Sequence, residues 1–358
     1  MSSLSIFAGP TALQRIQADG LRADQFKVML GASGGPKWFV LFGLDRYLFG
    51  EFFARRESQL LTLGSSAGAW RMCCLATSDP VAAIERLARS YSEERYSDAP
   101  TTGEITGKAR NMLADMLGEN GAAEIVGNAH FKTHIIADRC KGFGASSSKS
   151  LQTIFLVASA LTNGISRKSL SWYFERTIFT TMGQSSPWAC SKDLDTCLTS
   201  LSEENIFEAM IASGSIPFVL DGVRDIRGAK PGLYWDGGIT DYHFDFDFHG
   251  GDDLVLYPHF SSRVIPGWFD KHVPWRKVNE RNFDNVVLLT PSREFVASLP
   301  YGKIPDRTDF EKFDYDTRLA YWREVLDKSQ VLADEFSELV VSGKGVNKIK
   351  PFIERDSR

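Results

Sequence analysis

Three short stretches hold the residues best suited to chemistry: "GASGGPK" at 31–37, "GSSAG" at 64–68 and "YWDGG" at 234–238. A serine hydroxyl becomes a nucleophile only when a neighbouring base takes its proton and its oxygen stands clear of the backbone. The G-x-S-x-G pattern meets the second need. Its small flanking residues, Gly64 and Gly68, let a strand and a helix pack closely while Ser66 stands on the sharp turn between them. A helix starting there also turns the positive end of its dipole toward a forming oxyanion. Gly34 and Gly35 would offer backbone amides to that oxygen, with Pro36 stiffening the next step and Lys37 adding positive charge. Asp236, followed by Gly237 and Gly238, suits a carboxylate at a strand end facing a cleft. Plainer readings stand beside these. Gly-rich turns between strand and helix also cradle phosphates, although neither G-x-x-x-x-G-K-[ST] nor G-x-G-x-x-G fits at 31–37. All three stretches also suit ordinary tight turns, with Asp236 capping its own backbone.

Strands must deliver these turns to one place. "FKVML" (26–30) and "QLLTL" (59–63) are apolar runs that each enter a Gly-rich turn and then a helical pattern, "WFVLFGLDRYLFGEFF" after the first. Two such units in succession predict a parallel sheet with helices on its faces. Further strands are expected at "THIIAD" (133–138), "TIFLVASA" (153–160), "WYFERTIFTT" (172–181), "DLVLYP" (253–258) and "NVVLLT" (285–290). Several are rich in Ile, Val and Leu without strict alternation, as strands covered on both faces are. Residues 80–130 read as polar amphipathic helix, and 206–223 as a helix-like segment ending at Ile216-Pro217. A helix is expected over 314–340, with Leu319, Trp322, Leu326 and Phe336 near one side. The fold class is therefore α/β, with a mainly parallel central sheet flanked by helices. A single domain over 1–358 is expected, with a helical C-terminal extension at about 305–358.

Bulk composition narrows the function classes. The 358 residues are 43% apolar and 24% charged, the profile of a folded globular protein. Forty-one Lys and Arg against 45 Asp and Glu leave a net charge of −4, so nucleic acid is not an expected partner. Five cysteines, two adjacent at Cys73 and Cys74, are too sparse for a secreted disulfide framework. The first residues lack a basic leader followed by an apolar core, and no apolar run approaches the roughly 20 residues that cross a bilayer. A cytoplasmic location is expected. No C-x-x-C or H-x-x-x-H spacing points to a metal, and no cofactor is expected.

Taken in chain order, the three stretches and "ASGSIP" at 212–217 resemble the patatin-like phospholipases, acyl hydrolases that use a Ser–Asp dyad. The resemblance covers about residues 26–245. It implies a patatin-like three-layer architecture, Ser66 and Asp236 as the catalytic pair, and Gly34 and Gly35 as the oxyanion hole. Lys37, Gly64, Gly68, Gly237 and Gly238 would support them, and the substrate would be a lipid or other acyl ester. The chain departs from the family in two places. The family's loop usually reads G-G-G-x-[RK]-G, and here Ser33 and Trp38 replace its first and last glycines. An oxyanion hole blocked by these residues would leave an impaired protein that binds an acyl ligand or a partner. The family often follows D-G-G with an Asn and a Pro, where this chain has "ITDYHFDFD". A third reading is a Ser–Asp–His esterase, with His259 the best placed of His243, His249, His259 and His272.

Residues 263–277, "RVIPGWFDKHVPWRK", interleave Trp268, Phe269 and Trp275 with Arg263, Lys271, Arg276 and Lys277. That mixture suits peripheral contact with a membrane. The plainer reading is a loop whose rings turn into the core.

Overall fold

The computed structural model describes residues 2–146, 148–249, 251 and 253–352. Among these residues, eleven strands form one mixed sheet. They are β1 (Leu4–Ala8), β2 (Phe26–Gly31), β3 (Leu60–Ser65), β4 (Phe131–Cys140), β5 (Phe174–Thr180), β6 (Thr196–Ser200), β7 (Val223–Arg224), β8 (Leu233–Asp236), β9 (Leu254–Pro258), β10 (Val286–Pro291) and β11 (Lys350–Pro351). The main path runs β11-β1-β10-β9-β2-β3-β4-β5-β6, while β8 pairs with β4 and β7 with β8. The centre from β10 to β4 is parallel throughout. Helices flank it in the three-layer α/β arrangement, so the central strands are buried on both faces, as their continuous apolar runs require.

The two units read from the sequence lie side by side. β2 and β3 pair in parallel, Val28 opposite Leu61 through Gly31 opposite Gly64, so both turns open at the same end of the sheet. After β2 the chain winds as a 3-10 turn (Gly35–Leu41), an α-helix (Phe42–Tyr47) and a π turn (Leu48–Phe52), burying Trp38, Phe39, Val40, Leu41 and Leu44. After β3 the helix Ala67–Leu75 is buried along its whole length. β1 was not expected; it precedes the first strand read from the sequence and pairs antiparallel with β10. The segment expected as one helix over 314–340 is two, Tyr315–Lys328 and Gln330–Ser342, meeting at Ser329. The Ser329 hydroxyl there accepts a bond from the Gly43 amide at 2.8 Å.

One expected strand is a helix. The run at 153–160 lies inside the helix Lys149–Ile165. An unbroken apolar run carries no period to separate the two states, and this one is the middle of a longer helical segment. Its Ser159 hydroxyl donates back to the Phe155 carbonyl at 2.7 Å, one turn earlier. The inner side carries Phe155, Ser159 and Asn163, whereas Leu151, Ile154, Val157, Leu161 and Ile165 face solvent.

The main core gathers buried side chains from Leu4 to Phe352. A smaller cluster built on Cys140, Phe155, Phe174, Trp235 and Ile239 lies beside it, with Trp268 and Phe269 packed against it. Among the described residues, no helix is long and apolar enough to cross a membrane. Cys73, Cys74, Cys140 and Cys197 are free thiols.

Candidate active site

Sheet register explains why two residues 170 positions apart meet. β3 pairs in parallel with β4 and stops with Ser65 opposite Ile136. β8 pairs antiparallel with β4 and stops with Asp236 opposite Ala137. The other edge of β4 is taken by β5 over these residues. β3 and β8 therefore run toward each other along a single edge and end on consecutive β4 residues. The Ser66 hydroxyl donates to Asp236 Oδ2 at 2.8 Å.

Ser66 sits at φ 54°, ψ −132°, a region costly for a residue with a side chain. Three contacts hold it there. Its amide donates to Ser213 Oγ at 2.9 Å, and its carbonyl accepts from the Ala69 amide at 2.9 Å as the helix Ala67–Leu75 begins. The third is the close crossing of that helix over β2: a Cβ on Gly68 would lie 1.9 Å from the Gly31 carbonyl oxygen, so only glycine fits. The "ASGSIP" stretch thus acts through Ser213 on the turn, through the Ser215 carbonyl, which accepts the Asp236 amide at 2.9 Å, and through Ile216 and Pro217 in the cleft wall.

Asp236 makes contacts of both kinds considered from the sequence. Its Oδ1 accepts from the Gly238 amide at 2.7 Å, capping its own turn, while Oδ2 takes the serine. Burial pushes its carboxyl up to about 6, opposed by the Gly238 amide, the Ser66 hydroxyl and the charges of Arg307 and Lys271. A hydroxyl bonded to such a carboxylate can pass it a proton as the oxygen attacks an electrophile.

Gly34 and Gly35 border the same cleft, which has a volume of about 300 Å³. Gly35 has φ 54°, and Gly34 lies so close to Phe260 that a Cβ would stand 2.5 Å from its ring. The Ser33 amide donates to the Tyr242 carbonyl at 3.0 Å, which ties this loop to the chain just beyond Asp236. Ser33 Oγ is bonded to Ser65 Oγ at 2.9 Å. The obstruction considered for Trp38 is not present: its ring is buried against Phe39 and Phe42, away from the cleft lining. Of the supporting residues, Lys37 and Gly238 line the cleft, and Gly64, Gly68 and Gly237 are packing positions behind it.

The "ITD" that replaces the family's usual continuation is firmly anchored. Asp138 accepts the Thr240 amide at 2.9 Å and its hydroxyl at 2.8 Å. Asp241 is gripped by the Arg176 guanidinium at 2.6 and 2.9 Å, and Arg176 also holds Asp193 at 2.6 Å. Burial and the nearby Asp241 charge hold the Asp138 carboxyl far above its ordinary range.

Among the described residues, no histidine lines the cleft. His259 is buried, bonded through Nδ1 to the Ser261 amide at 2.9 Å and stacked on Phe260, and burial lowers it to about 3. His243 is likewise buried, with Nδ1 accepting the Ile265 amide. The geometry therefore gives the Ser–Asp–His alternative no support. The 263–277 stretch divides: Trp268 and Phe269 pack on the smaller cluster, Lys271 enters the cleft and Trp275 is exposed. Sequence reading missed Lys271 and Arg307 as cleft residues, and no local pattern marks either.

A large mainly parallel sheet with a serine on a strand-to-helix elbow, bonded to a buried carboxylate, is the framework of an α/β acyl hydrolase. The family model of patatin-like phospholipases matches residues 61–247, just over half of the chain. The chain belongs to that family, whose members act on lipid acyl groups. The matched region includes Ser66 and Asp236, and Gly34 and Gly35 precede it. No curated protein matches the chain.

Proposed function

We propose that the protein is a serine acyl hydrolase of the phospholipase A or lipase kind, contained in a single domain and working without a cofactor. The observation that carries this reading is the 2.8 Å bond from Ser66 Oγ to a buried Asp236 at the mouth of a Gly-rich loop. Asp236 takes the Ser66 proton as Oγ attacks the ester carbonyl. The Gly34 and Gly35 amides meet the oxyanion. Collapse returns the proton to the leaving alcohol and leaves an acyl-serine. Water, deprotonated by Asp236, then attacks the acyl-serine and releases the acid, regenerating Ser66 and the carboxylate. Peripheral contact with a membrane belongs to the same reading, because a lipid ester must be drawn from an aggregate.

Ser66→Ala and Asp236→Asn should each lower ester hydrolysis by roughly 10²-fold or more with little change in melting temperature. A fluorophosphonate probe should label the native chain and not Ser66→Ala. Equal labelling of the two would end the assignment, as would undiminished turnover in either variant.

A further inference from the structure

We propose that the cleft contains a subsite for an anionic group of the substrate, a phosphate or carboxylate, formed by Lys37, Lys271 and Arg307 beside the Ser66–Asp236 pair. This rests on the acyl hydrolase reading. The three cations reach one cleft from three distant parts of the chain. Among the described residues, none of their charged ends has a hydrogen bond or carboxylate partner, and the cleft's own carboxylates are committed elsewhere. Asp306 is held by Lys303 at 3.1 Å and by the Thr308 amide and hydroxyl at 2.8 and 2.6 Å. Asp236 is held by Ser66 and Gly238. By contrast, buried Arg71 is bonded to Asp45 and buried Arg176 to Asp193 and Asp241. Lys37 and Lys271 are half-buried and unpaired, and Arg307 stands exposed at the cleft beside them, so in a chain of net charge −4 the two sheltered charges are costly unless a ligand supplies the counter-charge.

Packing holds the cations in place. The Lys271 ammonium stands 3.7 Å from the centre of the Tyr242 ring, and Lys37 lies over Phe260. The Arg307 stem runs along Gly35, where a Cβ would be 3.3 Å from Arg307 Cγ. The anionic group would therefore sit next to the amides that receive the oxyanion. Burial, followed by the charges of Lys37 and Arg307, lowers Lys271 to about 7 against the opposing pull of Asp236. A bound anion would relieve that shift.

Two matched ester pairs test this: phosphatidic acid against diacylglycerol in mixed micelles, and a water-soluble half-ester of a dicarboxylic acid against its methylated form. The native chain should prefer the anionic member of at least one pair by tenfold or more in kcat/KM, and the double variant Lys271→Gln, Arg307→Gln should lose most of that preference. A preference confined to the micelle pair assigns the anion to a lipid headgroup, and one confined to the soluble pair assigns it to a free acid. Titration calorimetry with inorganic phosphate, done on Ser66→Ala, needs no turnover. Binding that disappears in the added double variant supports the subsite even if no ester is cleaved, in which case the hydrolase reading alone fails. Equal rates within both pairs, or phosphate binding unaltered by the double variant, overturns the subsite.

A separate observation carries a second inference: the outer face of the helix Lys149–Ile165 docks on an anionic lipid surface. The helix is amphipathic in reverse. Ser159 and Asn163 are buried, Asn163 donating to Asp270 at 2.7 Å, while Ile154, Leu161 and Ile165 are 58%, 71% and 89% exposed. Phe143 and Trp172, in the segments that precede and follow the helix, are also exposed. Such a stripe is out of place in water. No acidic residue occurs between Asp138 and Glu175, and Lys149 and Lys168 stand exposed at the helix ends. Apolar rings and aliphatic chains flanked by lysines match a negatively charged lipid layer. The inner side of the helix shares its small core with Trp268, a wall of the cleft.

Vesicle flotation tests the assignment without turnover. The native chain should float with vesicles containing phosphatidylserine, and Leu161→Asp, Ile165→Asp should reduce the floated fraction at least tenfold at an unchanged melting temperature. No flotation of the native chain, or flotation equal in the variant, overturns it. So does light scattering that finds a native dimer made monomeric by the same variant with no vesicle binding, which would give the face to a second copy.

Discussion

Asp236 shows how burial can fit a side chain for a task that its ordinary chemistry does not suit. A carboxylate near 3.9 is a feeble base toward a serine hydroxyl, and removal from water is the largest force moving it to about 6. In the proposed mechanism only the ionised form accepts the proton. Hydrolysis of an uncharged soluble ester should therefore rise as pH passes through about 6 and level off above it. Arg307 is among the charges holding the carboxyl down, so Arg307→Gln should move that limb to higher pH. A profile flat from about pH 5 to 7 would remove Asp236 as the titrating base. The turns that carry Ser66, Asp236 and the glycines were legible because they depend on local turn chemistry, which leaves its mark in neighbouring residues. Lys271 and Arg307 left none, since only folding brings them to the cleft.

The turn after β8 is held by partners on other elements, and this is where local reading reached its end. Thr240 and Asp241 look like an aberrant continuation of the glycine pair until Asp138 on β4, Arg176 on β5 and Asp193 are placed around them. Arg176 is fully buried and bonded to both acids. Arg176→Ala should cost about 3–5 kcal/mol, because it leaves Asp241 buried with much of its counter-charge gone. Chemical denaturation measures this, and a loss below about 1 kcal/mol would mean that the network does not hold the turn. The parallel strands β2, β3, β9 and β10 were readable as runs of Ile, Val and Leu. The helix Lys149–Ile165 was not, because its middle is an unbroken apolar run with no period to tell helix from strand.

Across the whole molecule, strand order departs from chain order, and the cleft collects residues from before, within and after the segment that the family model matches. The α/β class and the parallel centre followed from two repeated units. The antiparallel pairing of β1 with β10, and the insertion of β8 beside β4, rest on long-range pairing that no short window contains.

β4 consequently works as a measuring rod on which two strand tips are set. Lengthening it by one residue between Ile136 and Ala137 would open a gap of about 3.3 Å between those tips, more than a hydrogen bond can tolerate. Such a chain would keep the hydroxyl and the carboxylate intact and part them.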